Sequence, residues 1–338
     1  MTGLERTQSF LKGEKVDHSP FHPIIMRWAA KYAGIKYRDF CLDPYSKCRA
    51  MLLCAKDFDM DWATVLSDPW SEASAFGIQV EYPENDLPID KGGHFPDAKS
   101  ASLLKHYKPL ENMRCSNRIT EIREFRKYSE KELFVVGWVE GPVAEYVDLR
   151  GASEASVDFL IDPESVEKSM DIIIDCAFDF ISLQIKAGAH CIGIGDAFCS
   201  QIGPDLYRQY AFSRQKKLVE FIHSEGAIAK LHICGNTDSI LKDMILTGAD
   251  IVDVDHLVPS MKDFVSLLGK YQVFSGKSDP VTVIQDSAAD IIKRSVNEDF
   301  KDANKRCIVS AGCEITPGTS VENMKAFSMA ARDLTLNY

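Results

Sequence analysis

The sequence AIAKLHICGN, residues 227–236, indicates a buried β-strand that ends at a glycine. Side chains along a strand alternate between its two faces, so Lys230, His232 and Cys234 share one face. The opposite face is apolar and suited to packing against helices; it carries Ala229, Leu231 and Ile233. In a barrel of parallel strands, the polar face would point inward near the carboxyl end of the strand. Barrel enzymes keep their reacting groups at that end.

Similar short apolar runs recur along the chain and alternate with amphipathic helical stretches. We predict strands at residues 20–26, 62–66, 133–140, 190–196, 228–234, 250–255, 272–276 and 307–313. Strands that alternate with helices pair in parallel through right-handed crossovers. Eight such units predict a (β/α)₈ TIM barrel of the α/β class, with an N-terminal helical extension, as a single domain of residues 1–338.

One long stretch, residues 68–100, falls outside this strand–helix pattern. It is rich in Pro, Gly and Asp, and it follows the second predicted strand. Long irregular loops in compact domains are commonly functional lids. We therefore predict a lid-like loop at the carboxyl-terminal mouth of the barrel, partly covering the site.

The composition limits the classes of function. The formal net charge is −11, which argues against nucleic-acid binding because a nucleic-acid binder needs a basic face. Residues 1–12 lack the apolar stretch of a secretory signal, and no apolar run approaches the roughly 20 residues of a membrane span. We therefore predict a cytoplasmic protein that does not bind membranes. In a reducing cytosol, its 10 cysteines would be core residues or metal ligands rather than disulfides.

Two strand ends carry soft metal ligands. The strand at 228–234 supplies His232 and Cys234, and the last predicted strand, CIVSAGC at 307–313, ends at Cys313. Strand ends of a barrel converge on one mouth, and one imidazole with two thiolates suits zinc with a fourth position left open for substrate. The alternative is that these three are ordinary core residues.

Acidic side chains end several other predicted strands. Asp196, Glu140 and Asp68 each end or follow a predicted strand, and Asp255 with His256 ends the sixth. Any of them could be a fourth metal ligand, could orient a ligand, or could transfer a proton. The alternative for each carboxylate is a helix cap or a solvated loop. We interpret Lys230 as a buried salt-bridge partner rather than as a catalyst.

At these residues the sequence resembles the uroporphyrinogen decarboxylase superfamily, and within it the zinc-dependent methylcobalamin:coenzyme M methyltransferases. The resemblance covers most of the chain and is most specific in the His-x-Cys motif with its distant cysteine. The segments that carry it are LKGEKVD (11–17) with Pro20, EGP (140–142) with Asp148-Leu149, LHICGN (231–236), and AGC (311–313) with Pro317 and Glu322-Asn323. The resemblance implies zinc at His232, Cys234 and Cys313. It also implies methyl transfer to or from a corrinoid such as methylcobalamin, carried by a corrinoid-binding partner protein.

Decarboxylases of the same superfamily are the nearest competitor. PIIMRWAAKY (23–32) resembles their arginine-rich motif, but only Arg27 matches an arginine, and Lys31 stands where the second would be. Ser67-Asp68 resembles the site of their catalytic aspartate. Those enzymes need no metal, and a substrate with many carboxylates calls for several arginines in its cleft.

The zinc motif and the resemblance together imply a zinc-dependent methyltransferase that moves a methyl group between a corrinoid and a small substrate such as a thiol. Arg27, Tyr32, Asn236 and His256 are the predicted substrate- and cofactor-binding residues. Three alternatives stay open: a demethylating enzyme acting on an O-methyl or N-methyl compound, a decarboxylase, and a zinc-stabilised binding protein without turnover. The sequence leaves the oligomeric state open.

Overall fold

Seven parallel strands form a curled sheet in the computed structural model, which describes residues 1–129 and 132–334. The sheet strands are β1 (Trp62–Thr64), β4 (Phe134–Glu140), β5 (Cys191–Gly195), β6 (Ile228–Ile233), β7 (Ile251–Val254), β8 (Val273–Ser278) and β9 (Cys307–Ala311). They pair in that order. A separate antiparallel hairpin consists of β2 (Val80–Glu81) and β3 (Ile89–Asp90).

The gap between β9 and β1 is closed by the segment predicted as the first strand. Phe21 forms a parallel bridge with Val309, and its carbonyl accepts a hydrogen bond from the Asp61 N–H beside β1. The predicted strand at 20–26 is therefore reduced to one bridge, because the chain turns into a helix at Arg27. The predicted α/β barrel fold is confirmed, with seven full strands and a minimal eighth contact.

Helices cover the outside of the sheet and precede its first strand. They are α1 (Gly3–Leu11), α2 (Arg27–Tyr32), α3 (Tyr37–Leu42), α4 (Pro44–Asp57), α5 (Trp70–Phe76), α6 (Ala98–Ala101), α7 (Met113–Tyr128), α8 (Pro142–Arg150), α9 (Ala152–Ile161), α10 (Pro163–Ala187), α11 (Gly203–Leu206), α12 (Ser213–Ser224), α13 (Leu241–Leu246), α14 (Ala289–Asp302) and α15 (Val321–Arg332). Short helical turns lie at Pro109–Glu111, Ala197–Ser200, Tyr207–Phe212, Lys262–Leu267 and Pro280–Gln285. Among the helices of the described ranges, none combines the length and the apolarity needed to cross a bilayer.

The apolar core consists of two clusters, one inside the barrel and one between the strands and the surrounding helices. The inner cluster fills the amino-terminal half of the barrel with alternate residues of the strands, and α1 contributes to it: Phe10, Leu11, Val16, Trp62, Phe134, Val136, Cys191, Ile251, Val273 and Ile308. The larger outer cluster joins the other strand faces to the helices. The strands are buried on both faces, as expected of a parallel sheet covered by helices.

The segment predicted as an irregular loop, residues 68–100, is more ordered than its composition suggested. It contains α5 and the β2–β3 hairpin, and α5 ends at Gly77, which has a φ of 109°. The segment begins at the carboxyl end of β1, as predicted, and the Phe95 N–H donates to the carbonyl of Leu149 in α8. That it covers the site stays a prediction. The single domain also stays a prediction, and residues 335–338 of it lie outside the described ranges.

Candidate metal centre

The structure brings the three predicted ligand side chains together at the carboxyl end of the barrel. The Nε2 atom of His232 lies 2.9 Å from Cys234 Sγ, and the two sulfurs of Cys234 and Cys313 are 3.5 Å apart. One ligand atom from each residue lies within 4.8 Å of the other two. Among the described residues this is the one group of histidine, cysteine and acidic side chains that meets this spacing, so it can hold a metal ion.

The two cysteines reach the centre by different routes. Cys234 continues the alternation of β6, in which Lys230 and His232 face inward. In β9, Ile308 belongs to the inner cluster, whereas Val309 and Ala311 belong to the outer one. Cys313 therefore reaches the centre through a turn after the strand, not through alternation.

Close backbone packing produces that turn. A Cβ atom on Gly312 would lie 2.3 Å from the backbone nitrogen of His256, so a larger residue would push the end of β9 away from the end of β7. Asp255 accepts a hydrogen bond from the Gly235 N–H at 3.0 Å and holds the loop that carries Cys234. The ends of β6, β7 and β9 are thus fixed against one another.

A buried carboxylate on the neighbouring strand orients the imidazole. Asp253 in β7 pairs in register with His232 and accepts a hydrogen bond from Nδ1 at 2.7 Å, which leaves Nε2 facing the sulfurs. Lys230 Nζ lies 2.9 Å from the same carboxylate, so this lysine is an ion-pair partner, as interpreted from the sequence. Carboxylate–histidine pairs of this kind orient metal-binding imidazoles. Asp253 is not among the residues predicted from the sequence, although it stands two residues before Asp255 and so shares its face of the strand.

The protonation of the three ligands reflects these contacts. Burial lowers the pKa of His232, but hydrogen bonds with Asp253 and Cys313 outweigh it and raise the pKa to about 9. The hydrogen bond with Cys234 lowers the pKa of Cys313 to about 4 against the effect of burial. The same hydrogen bond raises the pKa of Cys234 well above its ordinary value. The site therefore presents one thiolate and one thiol, a donor set that suits a soft cation once the remaining protons leave.

An indole ring lies beside the centre inside the barrel. The ring centroids of Trp138 and His232 are 6.1 Å apart, and the Trp138 Nε1–H donates to Glu140 at 3.1 Å. The neighbouring strand β5 gives this ring its space, because a Cβ on Gly193 would lie 2.3 Å from it and one on Gly195 2.7 Å. Trp138 thus contacts both the imidazole and the carboxylate at the end of β4.

Two of the predicted carboxylates are held by the fold. Asp196 follows Ile194 on the outer face, where it accepts hydrogen bonds from the Ala144 N–H and from Gln215, both at 2.7 Å. Burial raises the pKa of Asp196 to about 6. Asp68 is paired with Arg114, and it accepts a hydrogen bond from Ser67 Oγ at 2.7 Å. In both residues the carboxylate is bound by other groups of the chain, which favours a role in holding the fold together. The catalytic roles of Asp196 and Asp68 stay predictions.

A third predicted carboxylate, Glu140, ends β4. It is inward-facing, because it pairs in register with Gly195, which in turn pairs with His232. Burial, and then the charge of Glu72, raise its pKa well above the ordinary value. The role of Glu140 in proton transfer stays a prediction.

The four predicted substrate-binding residues do not form one group. His256 lies beside Gly312, with Nδ1 2.7 Å from Asp255, and Asn236 is exposed on the loop after Cys234. The Arg27 guanidinium lies 3.3 Å from Glu314, next to Cys313. Tyr32 instead stacks on Trp28 and donates to Asp57 within the N-terminal helices. The structure thus places three of the four near the mouth and Tyr32 away from it.

Comparisons with known proteins agree with this architecture. The family model for uroporphyrinogen decarboxylase (URO-D) matches residues 2–334. The uroporphyrinogen decarboxylase of Prochlorococcus marinus (strain AS9601) is 24% identical over 342 residues, which cover 96% of each chain. The methylcobamide:CoM methyltransferase MtaA of Methanosarcina barkeri is 27% identical over 227 residues, which cover 66% of this chain and 65% of that one.

A solved structure shares the whole fold. The methyltransferase from Methanosarcina mazei superposes with a TM-score of 0.88 over 98% of both chains, at 23% sequence identity. A B12-independent methionine synthase from Shewanella sp. W3-18-1 superposes with a TM-score of 0.59 at 13% identity, over 85% of this chain and 88% of that one. The family match spans nearly all of the described residues, and its members include decarboxylases and methyltransferases. The chain belongs to the uroporphyrinogen decarboxylase family.

Proposed function

We propose that this protein is a zinc-dependent methyltransferase that moves a methyl group between a corrinoid and a small substrate held at the metal. The observation that carries the proposal is the grouping of His232, Cys234 and Cys313, with their ligand atoms within 4.8 Å. Three protein ligands of this softness suit zinc and leave a fourth position for substrate, whereas structural zinc sites usually have four protein ligands. Zinc in such a site lowers the pKa of a thiol that binds it, or polarises a bound ether or amine.

The surrounding side chains position these ligands. Asp253 fixes the His232 ring with Nε2 toward the sulfurs, and Lys230 keeps that carboxylate ionised inside the barrel. Asp255 holds the Gly235 loop, and Trp138 fills the space beside the imidazole. We further propose a cytoplasmic enzyme whose corrinoid is carried by a partner protein.

The charges at the mouth weigh against the decarboxylase alternative. A porphyrinogen with many carboxylates would need free guanidinium groups. Arginines near this end of the barrel are already paired with carboxylates of the chain: Arg27 with Glu314, Arg114 with Asp68, and Arg118 with Glu72. Asp68, which stands where the sequence resembles the catalytic aspartate of decarboxylases, is itself engaged in one of these pairs.

A spectroscopic assay tests the proposal, because methylcobalamin and cob(I)alamin absorb differently. The zinc-loaded protein should change the corrinoid spectrum with at least one member of a panel of thiols, methyl ethers and methylamines. Uroporphyrinogen is assayed in parallel. Its decarboxylation at enzymatic rates, with no corrinoid change for any candidate, would overturn the proposal in favour of the decarboxylase.

Cysteine variants connect this activity to the metal. Cys313→Ala should bind no stoichiometric zinc and lose methyl transfer, while its fold is retained because Cys313 lies beyond the end of β9. Cys48→Ala is the matched control, since this buried thiol donates to the Glu121 carbonyl at 3.5 Å, outside the centre. It should keep both zinc and activity. Wild-type protein produced with ample zinc but containing none in elemental analysis would contradict the proposal.

A further inference from the structure

Two of the ten cysteines are partly exposed, and these two are neighbours. The other eight are buried, whereas Cys234 and Cys313 lie at the mouth of the barrel. Their sulfurs are 3.5 Å apart, and within the described ranges this is the one hydrogen-bonding contact between two cysteine sulfurs. The fold therefore brings its two most accessible thiols into contact with each other.

The separation of the two sulfurs suits two different bonded states. Zinc–sulfur bonds are about 2.3 Å long, so a tetrahedral zinc ion holds two thiolates roughly 3.8 Å apart. In a disulfide the two sulfurs are about 2.05 Å apart. The pair can thus take up a metal ion with little movement, and it can form a disulfide once the sulfurs approach by roughly 1.5 Å.

The backbone around the pair leaves room for that approach. Strand β6 ends at Ile233, one residue before Cys234, and strand β9 ends at Ala311, two residues before Cys313. Neither cysteine belongs to the paired residues of the sheet. The sulfurs can therefore turn toward each other without breaking the hydrogen bonds between the strands.

The buried thiols do not compete for an oxidant. Cys307 is 1% exposed, and its thiol donates to the Gly276 carbonyl at 3.3 Å. Cys48 and Cys115 are likewise buried, and each donates to a backbone carbonyl. Oxidants select thiols that are accessible and that have a second thiol within reach. Within the described part of the chain, the contacting pair of Cys234 and Cys313 meets both conditions.

We propose that Cys234 and Cys313 form a disulfide when the metal-free protein meets hydrogen peroxide, and that bound zinc protects them. This inference rests on the zinc centre of the proposed function and adds a redox control of that centre. The disulfide removes two of the three ligands, so the oxidised protein does not bind zinc. Disulfides of cytosolic proteins are usually transient and redox-sensing, so a thiol reductant should restore the centre.

The oxidation takes place in two steps. The thiolate of the pair attacks one oxygen of hydrogen peroxide, the O–O bond breaks, hydroxide leaves, and the sulfur becomes a sulfenic acid. The second sulfur then attacks the sulfenic sulfur, so that the S–S bond forms and the S–O bond breaks. The leaving hydroxide takes up the proton of the second thiol. In total, two thiols lose two electrons and two protons, and one peroxide is reduced to two water molecules.

Peptide mapping tests this inference without any corrinoid. The protein is stripped of metal with a chelator, treated with a small excess of hydrogen peroxide, blocked with iodoacetamide in urea, and digested with trypsin without reduction. We expect peptide 231–242 joined to peptide 307–325, a loss of two free thiols per chain, and reversal of both by dithiothreitol. Zinc-loaded protein should form the bond at least roughly tenfold more slowly, because the metal shields the thiolates.

Two variants identify the sulfurs that react. Cys307 lies on the same tryptic peptide as Cys313, so Cys307→Ala should still form the bond. Cys313→Ala should not form it. Circular dichroism checks that both variants fold, and the mass of the intact oxidised protein shows that the bond lies within one chain.

Three results would overturn the inference. The first is oxidation to sulfinic acid with no link between the two peptides, and the second is a link that persists in Cys313→Ala. The third is bond formation at the same rate with and without zinc.

The outcome is separable from that of the proposed function. Reversible disulfide formation in a protein that causes no corrinoid spectral change would remove the methyltransferase proposal and leave the redox site. Corrinoid turnover by a protein whose metal-free form keeps both thiols reduced in peroxide would remove the redox site alone.

Discussion

Asp253 and Glu145 are each 1% exposed, yet their surroundings treat a buried carboxylate in opposite ways. Asp253 has Lys230 and His232 within 2.9 Å, and these partners outweigh burial and lower its pKa below the ordinary range. Glu145 has no hydrogen-bond partner among the described residues, and burial with its acidic neighbours raises its pKa. Two equally buried carboxyl groups therefore have pKa values shifted in opposite directions. The cost of desolvating the charged form is offset only where a partner is supplied.

The two carboxylates mark a paired half of the site, around Asp253, and an unpaired half, around Glu145. On the Asp253 side, the chain provides every charge that holds the imidazole, which suits a permanent metal centre. On the Glu145 side, the described residues supply no hydrogen-bond partner, and the raised pKa of Glu145 favours its neutral, protonated form. Trp138 contacts His232 on one side and Glu140 on the other.

The largest effect is expected from a substitution in the paired half, at Asp253. Asp253→Asn leaves Lys230 buried without a carboxylate, so the free energy of unfolding should fall by about 3–5 kcal/mol. Zinc affinity should fall by about 10–100-fold, because the imidazole loses its orienting carboxylate. Urea titration and chelator competition measure the two quantities.

A matched control shows whether the losses of stability and zinc affinity are specific to Asp253 or follow from removing any ion pair. Asp243→Asn removes a partner of the half-exposed Arg208, 2.8 Å away, and should cost less than about 1 kcal/mol and leave zinc binding unchanged. Wild-type zinc affinity in Asp253→Asn would show that the carboxylate does not position the ligand.

A smaller effect of opposite sign is expected in the unpaired half. The pKa of Glu145 is raised above 4.5 in the folded protein, so the unfolded chain gives up this proton first. The stability of the wild type should therefore fall as the pH rises from about 4.5 until the folded-state carboxyl ionises. Glu145→Gln carries no charge at either pH. It should match the wild type near pH 4 and exceed it by about 1–3 kcal/mol near pH 8.

Urea titrations at both pH values measure this difference. Glu164→Gln, an exposed control on α10, should show the wild-type pH dependence. If Glu145→Gln is less stable than the wild type at the higher pH, Glu145 has a partner in solution and the two halves do not differ as described.

The smallest effect is expected at the rim, where Arg27 and Glu314 form a partly exposed pair at 3.3 Å. Glu314→Gln frees the guanidinium, so the affinity for mercaptoacetate should rise relative to that for neutral 2-mercaptoethanol. The gain should be about two- to fivefold, since rim ion pairs contribute at most about 1 kcal/mol. Calorimetry with zinc-loaded protein measures it, with Glu84→Gln of the exposed Lys36 pair as control. An unchanged ratio would mean that Arg27 does not face the bound thiol.

Much of this architecture follows from the sequence by itself. The alternation along AIAKLHICGN determines that Lys230, His232 and Cys234 share a face, because successive side chains of a strand must point to opposite sides. The recurring apolar runs determine a parallel α/β barrel, in which the ends of distant strands meet at one mouth. Together these predict the side chains that can hold a metal.

Tertiary structure decided the remaining features, because they depend on contacts between residues far apart in the chain. Asp253 reaches His232 through the register of β6 and β7, and Cys313 reaches the centre because Gly312 packs against the backbone of His256. Alternation would have assigned Cys313 to the outer face with Val309 and Ala311. The pairing of Arg27 with Glu314, and the absence of a partner for Glu145 among the described residues, likewise appear only when the helices are in place. A local pattern fixes the direction of a side chain, whereas packing across the barrel fixes which charges it meets.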